Sequence, residues 1–150
     1  MLLKSRLYER IEPSRDARLV IIYCEGERRE ADYFNYFSEI SSKIKLEIES
    51  PEKGGDTSPM GLLTKALTQL ENPKPKYELL AEDEVWFVID TDSWGEKINE
   101  LREHCVNKLN WNVVQSNPCF EVWLYYHFKK FEAFPDMNVS KNWKIFLNKQ

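Results

Sequence analysis

Four carboxylates stand where they could do chemistry together: Glu25, Asp90, Asp92 and Glu121. Asp90 and Asp92 follow directly on the apolar run Val85-Trp86-Phe87-Val88-Ile89, and Glu25 follows directly on Leu19-Val20-Ile21-Ile22-Tyr23-Cys24. In an extended chain, residues two apart project to the same side, so Asp90 and Asp92 could face one hard cation. Asp90-Thr91-Asp92-Ser93 also fits a plain turn that caps the next helix, and the two readings stay open at this point. Carboxylates gathered without a matching set of buried lysines or arginines repel one another, which a bound cation relieves. Oxygen-only ligands point to Mg²⁺ or Mn²⁺ rather than zinc. A divalent ion with open positions suits phosphoryl chemistry, because it binds a phosphate oxygen and acidifies an attacking water. Arg28 and Arg29, just past Glu25, are placed to hold phosphate at the start of a helix, or are ordinary surface arginines. Lys53, in a glycine-rich loop, could meet an anion, although a solvated loop lysine is the plainer reading.

The elements that must position these groups follow from periodicity. The two unbroken apolar runs, at 18–24 and from Val85, read as strands buried on both faces, which belong at the centre of a sheet. Ile44 to Glu49 alternates strictly, and Trp111 to Ser116 alternates as well, so both read as outer strands. Tyr33, Phe34, Phe37 and Ile40 predict a first helix with Glu30 and Asp32 in its first turn. Ser58-Pro59 opens a second, striped by Leu62, Leu63, Ala66, Leu67 and Leu70 and stopped by Asn72-Pro73-Lys74-Pro75. Ile98, Leu101, Cys105 and Leu109 mark a third. Asn117-Pro118 repeats the cap-and-proline signal before a fourth, with Phe120, Trp123, Leu124, His127 and Phe131 on its apolar face. Strand alternating with helix four times predicts an α/β fold, a mostly parallel four-stranded sheet with helices on both faces. Ligands of such sheets bind beyond the carboxyl ends of the strands, which is where Glu25, Asp90 and Asp92 fall. Glu121, in the first turn of the helix after the fourth strand, joins them at that edge.

Composition bounds the rest. A chain of 150 residues with 42% hydrophobic and 13% aromatic residues is large enough for one well-cored domain. We expect a weakly ordered leader over 1–15, the domain over 16–131, and a short extension over 132–150 with a possible helix at 143–147. No segment has the apolar length to span a bilayer and the N-terminus lacks a signal-peptide core, so the expectation is a cytoplasmic protein with no membrane partner. Cys24, Cys105 and Cys119 lack metal or disulfide spacing and read as buried thiols. A net charge of −4 excludes a globally basic nucleic-acid binder, while leaving room for a local basic patch around an acidic metal centre. His127 reads as a core histidine, and Trp86, Phe120 and Trp123 as core aromatics. His104 lies on a different helix from His127 and forms no site with it. Trp94, beside the acidic loop, is the aromatic to which a substrate role is open.

Three blocks of the sequence resemble the RloB-like family: Cys24-Glu25-Gly26-Glu27-Arg28 with Tyr33-Phe34, Asp90-Thr91-Asp92, and Ser116-Asn117-Pro118-Cys119-Phe120-Glu121-Val122-Trp123-Leu124 followed by His127-Phe128. The third is the most specific. The resemblance implies a Toprim-like fold and a Mg²⁺-dependent, phosphodiester-cleaving activity in prokaryotic defence against phage, often beside an ATPase partner. It implies that Glu25, Asp90 and Asp92 occupy the Toprim acidic positions and that Glu121 is the acid of the Asn-Pro block. The family usually continues through further helices, whereas this sequence stops at Gln150. The leading expectation is therefore a nuclease acting on DNA or RNA. Glu25 would be its general base or a metal ligand, Asp90 and Asp92 metal ligands, and Glu121 the support of a second metal or the water. The alternative is a non-catalytic or partner-activated subunit of an ATPase-containing complex, and a homo-oligomer is compatible with either. A phosphatase with Asp90 as nucleophile, or a sugar transferase, fits the chain length and the position of Asp-x-Asp less well.

Overall fold

The computed structural model describes residues 16–91 and 94–128. Asp92, the leader, the extension with its possible helix, and Phe131 lie outside the described residues. The elements run β1 (Arg18–Cys24), α1 (Arg29–Asn35), β2 (Ile44–Glu49), α2 (Pro59–Leu70), β3 (Glu84–Asp90), α3 (Gly95–Val106), β4 (Trp111–Ser116) and α4 (Phe120–Phe128). The sheet order is β2-β1-β3-β4, and every pairing is parallel. The two continuous apolar runs thus hold the centre and the two alternating segments the edges, as their patterns require.

Alternation along the central strands divides the core in two. Leu19, Ile21 and Tyr23 of β1 and Val85, Phe87 and Ile89 of β3 meet Leu62, Leu63 and Ala66 of α2 and Ile98, Leu101 and Cys105 of α3. Tyr23 stacks on Phe87 at 5.4 Å within this layer. The opposite face carries Ile22, Cys24 and Val88, packed against Phe120 and Leu124 of α4 and Tyr33 and Phe34 of α1. Helices therefore cover both faces, α2 with α3 on one and α1 with α4 on the other. Among the described residues, no helix is long and apolar enough to cross a membrane.

Local signals account for the helix limits. Ser58 caps α2, its hydroxyl accepting from Gly61 N at 3.0 Å, and Pro59 is the first helical residue. At α4 the same signal reads differently: the Asn117–Pro118 peptide is cis, and the helix starts two residues later, at Phe120. Helix α1 is only seven residues long and dissolves into turns, so Phe37 and Ile40 of the expected stripe are largely exposed. Leu109, expected on α3, lies past its end and is exposed as well.

One polar knot secures the β2 edge. The buried Glu49 carboxylate accepts from Tyr77 Oη at 2.6 Å and Gln69 Nε2 at 3.1 Å, and pairs with Lys65 and Lys76. Gln69 in turn accepts from Tyr23 Oη at 2.8 Å, which ties the knot to the central strand. Burial alone would raise the Glu49 pKa, but the hydrogen bonds from Lys76, Tyr77, Gln69 and Lys65 outweigh it and hold the group at about 2.

Candidate functional site

Because all strands are parallel, β1, β3 and β4 deliver their carboxyl ends to one edge. Cys24 is in register with Val88, and Asp90 with Ser116. Glu25 continues β1 by one more backbone bond, its N–H donating to Val88 O at 3.2 Å. Its side chain then reaches along β3: Oε2 accepts from the Asp90 backbone N–H at 2.9 Å and Oε1 from Trp94 Nε1 at 2.7 Å. Two donors on two oxygens fix the plane of that carboxylate. Trp94, for which a substrate role was left open, thus holds Glu25 in place.

Asp90 is buried, and its Oδ1 accepts from the backbone N–H of Phe120 at 2.8 Å. That N–H is the first of α4, one of the donors a helix leaves without an internal partner, so Asp90 closes the start of α4 from the neighbouring strand. Thr91 locks the strand end, its N–H and hydroxyl both donating to Ser116 O at 2.8 and 2.7 Å. The turn reading of this stretch holds in part, since Trp94 N donates back to Thr91 O at 3.2 Å. Helix α3, however, is capped by Trp94 without any side-chain acceptor.

Glu121 follows Phe120 and is also buried. One of its oxygens pairs with Arg29 across the α1–α4 crossing, and Oε2 is buried with no hydrogen-bond partner in good geometry. A buried carboxylate oxygen in that state is costly unless something else neutralises it. The Cys119 thiol beside it is pushed up to about 12 by burial, with Glu121 and then Asp90 adding to the effect. Cys24, at the end of β1, is likewise raised to about 12 by burial and then by Glu30. All three cysteines are buried and free, as their spacing indicated.

Glu25, Asp90 and Glu121 therefore meet at one edge. Among the described residues, no three His, Cys, Asp or Glu side chains lie close enough together to hold a metal ion, and Asp92 lies outside that set. Arg28 is exposed at the start of α1, and Arg29 braces Glu121 instead of standing ready for phosphate. Lys53 is exposed in the loop between β2 and α2. Sequence reasoning passed over Glu30 as a site neighbour: it is buried, and its carboxyl lies against Gly26 so closely that a Cβ there would overlap it. The available signal was the Glu-Gly pair itself, since a glycine after a strand marks a close approach.

On the α1–α4 face a groove of about 710 Å³ opens over the sheet, with Val20, Ile22, Trp86 and Val88 as its floor. Trp123, expected in the core, stands at its rim and is 55% exposed. His127, expected to be a core histidine, is exposed within the aromatic cluster because α4 turns that side of its apolar stripe away from the sheet.

The family described as RloB-like protein matches residues 20–147, most of the chain, and no curated protein and no solved structure matches it. The chain belongs to the RloB-like family.

Proposed function

We propose that this RloB-like chain is a metal-dependent nuclease of the Toprim type, acting on DNA or RNA in prokaryotic defence against phage. The observation that carries the reading is the buried Oε2 of Glu121, without a hydrogen-bond partner and one residue past the N–H that Asp90 accepts, at the carboxyl edge of a parallel sheet. An all-oxygen donor set with an orphaned buried carboxylate atom fits a hard divalent cation. Glu25, Asp90, Asp92 and Glu121 are the residues that would hold it. When bound, Mg²⁺ or Mn²⁺ supplies charge neutralisation at a phosphate oxygen and a more acidic water.

The protein's own groups have separable tasks in this scheme. Glu25, held by the Trp94 and Asp90 N–H groups, keeps its remaining lone pairs aimed along one direction and can take a proton from an attacking water. Asp90 couples the strand to α4 and so sets where Glu121 stands. Arg29 pairs with Glu121 and orients it, and Arg28 offers an exposed cation to phosphate.

The test is cleavage of single- and double-stranded DNA and RNA by the full chain with Mg²⁺ or Mn²⁺, compared with Glu121→Gln. That variant keeps the shape and removes the charge. We expect metal-dependent cleavage that falls at least about tenfold in the variant; equal cleavage by both proteins would sink the proposal. A partner-activated subunit, docked to an ATPase, is the second reading. It is favoured by the fact that both oxygens of Glu25 and one oxygen of Glu121 are already engaged within the chain, as in a resting arrangement. Cleavage that appears only when an ATPase partner is added would select it.

A further inference from the structure

One turn beyond the Arg29–Glu121 pair, the α1–α4 crossing carries a second constellation. Tyr33 lies four residues after Arg29, about 6 Å along the helix axis, and faces Trp123 and His127 of α4. The Tyr33 hydroxyl accepts from Trp123 Nε1 at 3.2 Å and stands 2.9 Å from His127 Nε2, while His127 Nδ1 is 3.1 Å from the Trp123 carbonyl oxygen. A carbonyl only accepts, so Nδ1 donates to it, and in the neutral imidazole Nε2 then accepts from the Tyr33 hydroxyl. The bonds form a closed circuit of Trp123 to Tyr33 to His127 and back to Trp123. The imidazole packs edge-on to both other rings, at centroid distances of 4.8 Å to Trp123 and 5.5 Å to Tyr33.

This circuit does not serve a buried core, because Trp123 is 55% exposed and His127 is exposed too. The indole is held at its N–H edge and by the imidazole, with much of its surface left in water. A large ring fixed in place before any ligand arrives loses little freedom on binding. Tyr33 and Trp123 also rim the groove, whose lining includes Ser116 and Asn117, a hydroxyl and an amide at the strand end that is in register with Asp90. A flat aromatic ligand with hydrogen-bonding edges, joined to a phosphate one helical turn away, matches these parts: the ring for Trp123, the edge for Asn117, the phosphate for the carboxylate edge and Arg28.

We propose that Trp123, locked by Tyr33 and His127, is a stacking platform for an unpaired nucleobase adjoining the phosphate held at the carboxylate edge. The inference rests on the nuclease reading of those carboxylates and narrows its substrate to single-stranded nucleic acid or to unpaired ends and loops. In a duplex both faces of each base are covered by neighbours, so a platform at a groove rim has nothing to stack on. Trp123 is the binding residue; Tyr33 and His127 are positioning residues.

The test is fluorescence anisotropy of short labelled single-stranded DNA and RNA with cleavage-resistant phosphorothioate linkages, and of the matching duplexes, with the full chain in Mg²⁺ so that the carboxylate edge keeps its cation. Single strands should bind more tightly than duplexes. Trp123→Ala should weaken single-strand binding about 5- to 150-fold, Trp123→Phe should restore most of it, and His127→Ala should fall between. A fluorescent adenine analogue in the oligonucleotide should be quenched on binding the wild type, which reports stacking without any variant. Equal affinity of Trp123→Ala and wild type, absence of quenching, or a preference for duplex would each overturn the proposal. Cleavage is scored separately on unmodified strands with metal. Quenching without cleavage retains the platform and removes the nuclease reading, whereas cleavage without quenching does the reverse.

Discussion

Asp90 has two separable duties, and two substitutions tell them apart. Its Oδ1 accepts the first N–H of α4 at 2.8 Å in a buried setting, and its charge belongs to the proposed metal site. Asp90→Asn keeps an acceptor in that position and removes the charge. Asp90→Ala removes both and leaves the Phe120 N–H buried without a partner, which costs about 1–3 kcal/mol. For a chain of this length that is a fall of roughly 2–12 °C in thermal midpoint. Metal at about ten times its dissociation constant should stabilise the wild type by about 1.4 kcal/mol, or roughly 3–6 °C. The assay is thermal unfolding of wild type, Asp90→Asn and Asp90→Ala, with and without millimolar Mg²⁺ or Mn²⁺. The expected pattern is a metal-dependent rise in the wild type only, an Asp90→Asn baseline at or above that of the apo wild type, and an Asp90→Ala baseline clearly below it. If Asp90→Asn rises with metal as the wild type does, Asp90 is an anchor for α4 and no metal ligand. If Asp90→Ala melts with the wild type, the energetic argument from the Phe120 bond is wrong.

Two further predictions concern the scaffold. Glu49 is held at about 2 in the folded protein against an ordinary value of 4.5, so its stabilising contribution is full above about pH 4.5 and is lost as pH falls from there towards 2. Acid unfolding of the wild type should lose on the order of 2 kcal/mol across that window through this group, and Glu49→Gln should flatten the loss; identical slopes would refute the assignment. At Gly26 an added Cβ overlaps the Glu30 carboxyl, which can swing aside at the end of its flexible side chain, so Gly26→Ala should lower stability by no more than about 1 kcal/mol. Glu30→Ala in the same chain should recover part of that loss, and strict additivity in the double-mutant cycle would show that the two do not collide.

The order of the sheet could be read from the sequence because hydrophobic patterning reports how many faces of a strand are covered. Leu19 to Cys24 and Val85 to Ile89 have no polar alternation, so only central positions suit them, while Ile44 to Glu49 has one wet face and fits an edge. The meeting of Glu25, Asp90 and Glu121 then followed from parallel topology alone. What patterning could not give was the use of each polar atom. Nothing in the spacing of Trp94 says that its indole N–H will hold Glu25, or that Arg29 will turn inward to Glu121, because those pairings depend on how the loop before α3 folds over the β1 end and how α1 crosses α4. The misplacements share a cause. Phe37, Ile40, Leu109, Trp123 and His127 were assigned to the core from helical spacing, yet α1 is too short, α3 ends too soon and α4 crosses the sheet at its edge, so the stripes outrun the surface available to cover them.

The carboxylates at the sheet edge also differ in kind, and the difference bears on mechanism. Glu25 and Asp90 are held by backbone and indole N–H groups, which are fixed dipoles that remain in place whatever binds. Glu121 is held by side chains alone, the 45% exposed Arg29 and the neighbouring Cys119 thiol. On the proposed nuclease reading, a preorganised pair near a more adjustable third group would suit a reaction in which charge grows on one side of the site as a phosphodiester bond breaks. The rigid groups set geometry without reorganising, and the adjustable one can exchange its cation for another as substrate arrives. Arg29 is then the natural point of control. If the nuclease proposal holds, a phosphate approaching α1 would compete with Glu121 for the guanidinium that now braces it, and drawing Arg29 outward would free the Glu121 carboxylate for a metal ion. Substrate binding and completion of the metal site would in that case be coupled through one side chain.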